Sequence, residues 1–458
     1  MKITRENEMF LNNIKNIHMI GIGGSGMCPL AEIMHSKGYV ITGSDNNTGD
    51  NINRLSKMGI KIFMGHKEEN IKDAQLVVYS AAISKENPEL LKAEESGIPT
   101  MERSKFLGAI TRKFDNVIGI AGTHGKTTAT SMLSQILILN DFDPTAVIGG
   151  RLPLIEANGR AGESEYMVCE ACEYVDTFLE LSPDITVLLN VDNDHLEYFK
   201  TMGNLIKSFG KFVGMSKQAF INGDDELCLE AIKNLQVNII KFGFATDNDY
   251  IAKNIKPGKM GMIFDVYNKD KFIVNITMNV PGKHNVYNAL AAIAVAHTLG
   301  VDVSGIKCSI EKFGGAGRRF EFLCEKNNIT YVDDYAHHPT ELKATLNAAK
   351  SLDYNRVIAV FQPFTFSRTA LLKDEFIEAL NIADKVILTP IMGSREVNTY
   401  GITSEQLAEN IKNCVCVNDF SGALSEIKDT AKPGDIVLTM GGGDIYKVSH
   451  YIRDNEDF

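Results

Sequence analysis

Short apolar runs of strand length alternate with longer stretches of helix length along most of this chain, which predicts parallel α/β architecture. The first block opens with a predicted strand at Ile17–Gly21, a helix over Cys28–Ser36, a strand at Tyr39–Thr42 leading to Asp45, and a strand at Gln75–Tyr79. The second block opens on Val117–Ala121, a buried strand by its apolar run, followed by a turn and a helix over Ala129–Leu139. Two further apolar strands, Tyr166–Cys169 and Ile185–Leu189, each run into acidic or His residues. The pattern then turns β-rich: Met260–Tyr267 and Lys271–Met278 flank Asn268-Lys269-Asp270, a hairpin signal. An apolar helix over Asn285–Leu299 closes the block, and Gly314-Gly315-Ala316-Gly317 reads as a linker. In the third block the predicted strands are Thr330–Val332, Val357–Phe361, Val386–Leu388 and Ile436–Thr439.

At 458 residues the chain is too long for one core. The expected domains are 1–112, 113–316 and 317–458. The formal net charge of −11, with no long basic block, argues against nucleic acid or an anionic membrane as partner. A phosphorylated ligand must then be held by local donors. Eight scattered cysteines, with no paired zinc-ribbon spacing, fit free thiols in a reducing cytoplasm. Cys169 and Cys172 have redox-pair spacing but lie in an acidic strand end. The polar segment Met1–Asn16 does not read as a signal peptide, and no apolar run reaches spanning length.

The densest chemistry lies in Gly122-Thr123-His124-Gly125-Lys126-Thr127-Thr128. A strand, a Gly-rich turn, Lys-Thr and a helix make a phosphate-binding unit. Glycines admit phosphate oxygens to backbone N–H groups, the helix N-terminus adds positive charge, Lys126 can bridge terminal phosphates, and Thr127 can ligate Mg²⁺. Ile120 stands where the longer P-loop has its first Gly, so this is a shorter loop. Glu170, Glu173 and His195 follow the next two apolar strands. In a parallel sheet they join the phosphate loop at one edge, where Thr127, Glu170 and His195 can surround Mg²⁺ beside ATP. Asp333-Asp334-Tyr335-Ala336-His337-His338-Pro339 is a polar turn that zinc could also use, and Arg368 suits a two-pronged grip on carboxylate or phosphate. Gly21-x-Gly23-x-x-Gly26 with Asp45 matches the dinucleotide fingerprint, so an NAD(P)-dependent dehydrogenase stays open beside a diphosphate-bearing ligand. A nucleotide-switched binding protein is a third reading.

Taken together these residues resemble the Mur ligases across essentially the whole chain. The resemblance rests on Gly21–Met27, Gly122–Thr128, Glu170–Glu173, Asn190–His195, His284–Ala289, Arg318–Glu321, Asp333–Pro339 and Phe361–Thr369 in this order and spacing. It implies α/β structure in three domains: a Rossmann-like first domain, a central P-loop ATPase-like domain with a mixed sheet, and a Rossmann-like third domain that closes over the site. The implied activity adds L-alanine to the lactyl carboxylate of UDP-N-acetylmuramic acid with ATP and two Mg²⁺. The neighbouring branch, which reattaches recycled peptide, shares most of these motifs.

Position by position, the resemblance implies that Lys126 holds the β- and γ-phosphates within the ATP loop Gly122, Thr123, His124, Gly125, Thr127 and Thr128. Thr127 and Glu170 serve one Mg²⁺ and His195 a second. Asn285 and Asn288 face adenine, Arg319 reaches ATP phosphate, and Asp334 reaches the ribose. Tyr335, His337 and Arg368 grip alanine and the reacting carboxyl. Gly23, Gly24, Ser25, Gly26, Met27, Asp45 and Ser80 line the UDP site. Lys211 stands near the place where many Mur ligases carry a carbamylated Lys, and is expected to be a structural or substrate contact. Phe364 and Thr365 stand where the family's Phe-Gln-Pro motif often has basic character.

Overall fold

The computed structural model describes residues 13–258, 261–394, 396–456 and 458. The segment 1–12, most of the stretch read above as lacking a signal peptide, and Met260 lie outside the described residues. Among the described residues, strands assemble into three sheets. The first holds β1 (Asn16–Ile20), β2 (Val40–Asp45), β3 (Lys61–Met64), β4 (Leu76–Tyr79) and β5 (Thr100–Glu102), in the order β3-β2-β1-β4-β5. Every pairing in it is parallel. Strand order reverses between β1 and β4, so a crevice forms beyond their carboxyl ends. Gly21–Gly26, Asp45 and Ser80 all follow or end strands at that edge.

The second sheet contains β6 (Asn116–Ala121), β7 (Thr145–Leu152), β8 (Ala157–Arg160), β9 (Tyr166–Glu170), β10 (Ile185–Leu188), β11 (Gln218–Asn222), β12 (Asn238–Gly243), β13 (Tyr250–Pro257), β14 (Met262–Asn268) and β15 (Lys271–Met278). Its order is β15-β14-β13-β12-β11-β10-β6-β9-β7-β8. It is mixed, as expected: β6 pairs in parallel with β9 and β10, whereas β7 and β8 are antiparallel. The register sets Ile120 opposite Glu170 and Ala121 opposite Leu188. The phosphate loop therefore emerges between the strand ends that carry Glu170 and Asn190.

The helix after the loop runs over Lys126–Leu139, one turn earlier than the apolar pattern predicts. Its first turn is Lys-Thr-Thr, polar in sequence, and Thr127 and Thr128 are nonetheless buried. No side chain caps it, so its first N–H groups are left for a ligand. Almost every later residue of this helix is buried, which explains an apolar run without a polar face.

The third sheet orders β16 (Glu321–Lys326), β17 (Ile329–Asp334), β18 (Val357–Phe361), β19 (Lys385–Leu388), β20 (Cys414–Cys416) and β21 (Ile436–Met440) as β16-β17-β21-β18-β19-β20. The last strand in sequence slots between β17 and β18, and β16 is an antiparallel edge that the strand–helix alternation did not reveal. By contacts the chain forms two compact units. One holds the described residues up to Ala252 with Val266–Val274 and Tyr287–Ile310; the other holds Lys253–Asp265, Asn275–Val286 and Glu311–Phe458. Each has its own apolar core, with Phe178 stacked on Phe212 and edge-on to Phe209 in the first and Phe361 and Phe376 packed in the second.

Candidate active site

The phosphate loop is held by the segment after β10. Asn190 clamps the main chain of His124 on both sides: its Oδ1 accepts from His124 N at 2.8 Å and its Nδ2 donates to His124 O at 2.9 Å. Thr123 N donates to Asn190 O at 3.1 Å, and Thr123 Oγ1 accepts from Asp192 N at 2.9 Å. The His124 ring meets the Asp192 carboxylate at 2.9 Å. Gly125 takes φ +83°, and a Cβ there would drive into the Asn288 amide, so Asn288 packs directly under the loop.

Lys126 Nζ lies 2.5 Å from the Gly122 carbonyl oxygen, 3.0 Å from that of Thr123, and 3.1 and 2.9 Å from the two oxygens of Glu173. Burial alone would push its ammonium down, but Glu173 first, then Cys172 and Glu170, raise it above the usual lysine range. The charge on Lys126 is therefore secure at neutral pH.

One residue on, Thr127 Oγ1 donates to Glu170 Oε2 at 2.9 Å, and the same oxygen accepts from Gly149 N at 2.8 Å. A Cβ on Gly149 would overlap the Glu170 carboxylate and come 2.8 Å from Thr127 Oγ1. A hydroxyl and a carboxylate held side by side are hard oxygen donors and fit Mg²⁺. His195 sits at φ +57° just before a short helix over Leu196–Phe199. Its ring packs on Tyr174 at 4.8 Å between centroids, and its Nε2 is 3.6 Å from Asp194. Lys211 is exposed in the last turn of the helix Met202–Val213.

At the first sheet, Gly21 N and Ile22 N donate to Ser44 O at 2.8 and 3.1 Å. Asp45 is engaged within the chain: Oδ2 accepts from Gly23 N at 2.9 Å and Oδ1 from Asn47 N at 3.0 Å. Gly24 N and Met27 N close turns onto Gly21 O and Gly24 O. Ser25 is exposed, and its carbonyl accepts from Asn158 Nδ2 at 3.3 Å. Ser80 Oγ accepts from Ala82 N at 3.2 Å.

In the other compact unit, Asp334 is buried and its carboxylate accepts from Ala336 N at 2.7 Å, Phe320 N at 2.9 Å and Thr345 Oγ1 at 3.2 Å. Burial pushes this carboxyl up to about 6 although Arg319 and the two N–H groups pull it down. The Tyr335 ring is faced by Arg318 at 5.0 Å and Arg319 at 5.2 Å, and the His337 ring meets it at 5.1 Å. His337 Nδ1 is 3.0 Å from Tyr335 O. Arg368, half-buried, donates to Phe364 O at 3.1 Å. Asn285 is buried and donates to Pro281 O at 2.7 Å.

Comparison with known proteins settles the family. Family models match three successive segments: the Mur ligase family catalytic domain over residues 16–115, the Mur ligase middle domain over 120–296, and the Mur ligase glutamate ligase domain over 318–443. The chain belongs to the Mur ligase family. A curated UDP-N-acetylmuramate–L-alanine ligase of Acetivibrio thermocellus is 45% identical over 458 residues, covering 97% of each chain. The crystal structure of UDP-N-acetylmuramate-alanine ligase from Thermotoga maritima superposes with a TM-score of 0.83 at 27% identity, covering 96% of this chain and 98% of that one. A murein peptide ligase from Psychrobacter arcticus gives 0.75 at 25% identity, with the same coverage.

This Mur ligase uses residues that sequence reasoning passed over. Asn190 was read only as part of a motif, yet it fixes the phosphate loop from both sides. Gly149 makes room for the Thr127–Glu170 pair; a Gly-Gly in a β-rich run was the available signal. Arg318, next to the expected Arg319, bonds Asp333 at 2.8 Å and the carbonyls of Gly441 and Gly443, and so anchors that turn. Glu396 accepts from Thr365 Oγ1, Ser367 N and Ser367 Oγ at 2.5–2.9 Å and shapes the turn before Arg368. Nothing in the spacing linked positions so far apart.

Proposed function

We propose that this Mur ligase joins L-alanine to the lactyl carboxylate of UDP-N-acetylmuramic acid, using ATP, as a cytoplasmic step in peptidoglycan precursor synthesis. The observation that carries the reading is the Lys126 loop with Thr127 and Glu170 paired at 2.9 Å beside it, in a chain 45% identical over its length to a UDP-N-acetylmuramate–L-alanine ligase. Among the described residues no helix is long and apolar enough to cross a membrane. Domain limits near 112 and 316 belong to the same proposal, supported by the three matched segments.

The lactyl carboxylate oxygen attacks the γ-phosphorus of ATP; ADP leaves and an acyl phosphate forms. The alanine amine attacks the acyl carbon, loses a proton, and inorganic phosphate departs. The barrier to the first step is repulsion between two anions. Lys126 and the first-turn N–H groups of the helix Lys126–Leu139 offset that charge. Thr127 and Glu170 would hold one Mg²⁺ and His195 a second, which when bound supplies charge neutralisation on the phosphates. At the first turn, Ser25 and Gly26 are the residues whose N–H groups bond no described acceptor, and they suit the UDP diphosphate. Asn288 and Asn285 are assigned to adenine and Arg319 to ATP phosphate. Arg368, with His337 and Tyr335, takes the alanine carboxylate, where a guanidinium matches its two oxygens. Alignment of the two reactants supplies on the order of 7–11 kcal/mol of the barrier.

The peptide-ligating relative supports a second reading, in which a tripeptide replaces alanine. One assay separates them: ATP, Mg²⁺ and UDP-N-acetylmuramic acid with L-alanine, glycine, L-serine or tripeptide, following phosphate release. Release with L-alanine is expected. Release with tripeptide alone transfers the assignment to the peptide branch, and release indifferent to the acceptor removes the ligase reading.

A further inference from the structure

Glu173 has no assigned role, yet it makes the shortest charged contact to the lysine on which phosphoryl transfer depends. Its side chain is 3% exposed. Among the described residues Lys126 is its only polar partner, at 2.9 and 3.1 Å. An ammonium has three protons, and here they face Gly122 O, Thr123 O and Glu173. None is left for a phosphate oxygen, so triphosphate entry requires Lys126 to change partners.

The partners are not equal. Two are neutral backbone carbonyls of the loop itself. The third is a buried anion that would lose its only counter-charge. Charge-assisted bonds are roughly twice as strong as neutral ones, and a buried carboxylate left alone is strongly unfavourable. The carbonyls should therefore yield first. We propose that Glu173 is a positioning residue for Lys126: the ammonium keeps Glu173 and exchanges the Gly122 and Thr123 carbonyls for phosphate oxygens. Glu173 then acts as a fixed anchor that aims the lysine at the transferring phosphoryl group.

The sequence supports a division of labour. Glu170 and Glu173 are three residues apart, one at the end of β9 and the other just beyond it. Glu170 faces Thr127 and Gly149 N, whereas Glu173 faces Lys126. Adjacent residues of the phosphate loop thus each have their own carboxylate, one for the metal side and one for the lysine.

This inference rests on the ligase reading, and the test keeps the two apart because wild-type turnover reports that reading by itself. Single-turnover ADP formation and ATP affinity would be measured for full-length wild type, Glu173→Gln, Glu173→Asp, Lys126→Gln and the double variant Glu173→Gln/Lys126→Gln, with thermal unfolding as a folding control. Because aim matters most in the transition state, Glu173→Gln should slow ADP formation 10- to 100-fold while ATP affinity moves less than threefold. Glu173→Asp, with charge kept and reach shortened, should fall between, and it serves as the test if Glu173→Gln does not fold. On the Lys126→Gln background the Glu173 change should add nothing. A Glu173→Gln protein with wild-type rate overturns the proposal. So does one that binds ATP more tightly without losing rate, which would make Glu173 a latch. A further rate loss on the Lys126→Gln background overturns it as well.

Discussion

Gly21–Gly26 follows β1, and Gly122–Gly125 follows β6; each leaves the carboxyl edge of a parallel strand and runs into a helix. Their support differs. The first turn rests on carboxylates: Asp45 holds Gly23 N, and Ser44, whose carbonyl takes Gly21 N and Ile22 N, donates its hydroxyl to the buried Glu89 at 2.5 Å. The second rests on an amide, Asn190, and carries its own cation, Lys126. Two glycine patterns that look alike in sequence are therefore built differently. The first can hold a diphosphate that stays intact. In the proposed reaction the second holds phosphates while charge moves among them, because a cation anchored on Glu173 sits inside it.

The largest test removes that cation. Lys126→Ala should lower ADP formation by about 10²- to 10³-fold, the range seen when one preorganised charge-stabilising donor is removed, while UDP-N-acetylmuramic acid still binds. Calorimetric titration of the sugar nucleotide beside a quenched-flow ADP assay would show the split. Equal loss of both would mean that the two turns are not independent. A variant with normal turnover would take the loop out of the mechanism.

A smaller effect separates the turns by pH. Glu89 is fully buried. Burial would raise its carboxyl, but His18, Ser44 and Asn70 outweigh that and hold it at about 2. The folded value lies below the ordinary glutamate value. Its stabilisation is thus complete above pH ~4.5 and is lost as pH falls from there toward about 2. Linkage allows at most about 3 kcal/mol. Glu89→Gln should unfold in less urea at pH 7 and show a flatter acid slope between pH 4.5 and 2. The same slope in wild type and variant would mean that other carboxylates dominate acid unfolding. Asn190 has no titrating group, so its clamp on the His124 main chain should not add to this dependence.

This comparison also marks where sequence is readable. Chemistry that is local in the chain was legible: the loop Gly122–Thr128, the strands β1, β6, β9 and β10, and the gathering of Glu170 at the loop's edge through the parallel register. Apolar strands report themselves by composition, and parallel sheets bring their carboxyl ends together. What was hidden depends on partners far apart in the chain. The Asn190 clamp spans 66 residues, the Ser44–Glu89 bond 45, and the Gly149–Glu170 approach 21. The insertion of β21 beside β17 and the antiparallel β16 were hidden for the same reason, since strand order is set by packing between distant segments. The helix start at Lys126 was placed late because three polar residues mask a turn whose side chains are engaged or buried.

The finest test concerns Asp45. The dinucleotide reading assigns this acid to a ribose, and the ligase reading assigns it to the UDP site. In the structure both of its oxygens already accept backbone N–H bonds, from Gly23 and Asn47. Its contribution should then reach the ligand through the shape of the turn. Removing an acceptor from such a bond costs about 1–2 kcal/mol, so Asp45→Ala should raise KM for the sugar nucleotide roughly 5- to 30-fold with kcat nearly unchanged. Asp45→Asn keeps one carbonyl oxygen that can still accept from Gly23 N, so it should recover most of that loss. A direct ribose contact predicts the reverse order of severity for the hydroxyl: a 2′-deoxy or 3′-deoxy sugar nucleotide would lose as much affinity on wild type as Asp45→Ala does, and lose nothing more on the variant. If the deoxy compounds instead bind wild type and variant with the same ratio, the carboxylate supports the turn, and the first glycine pattern is held by its acid much as the second is held by its amide.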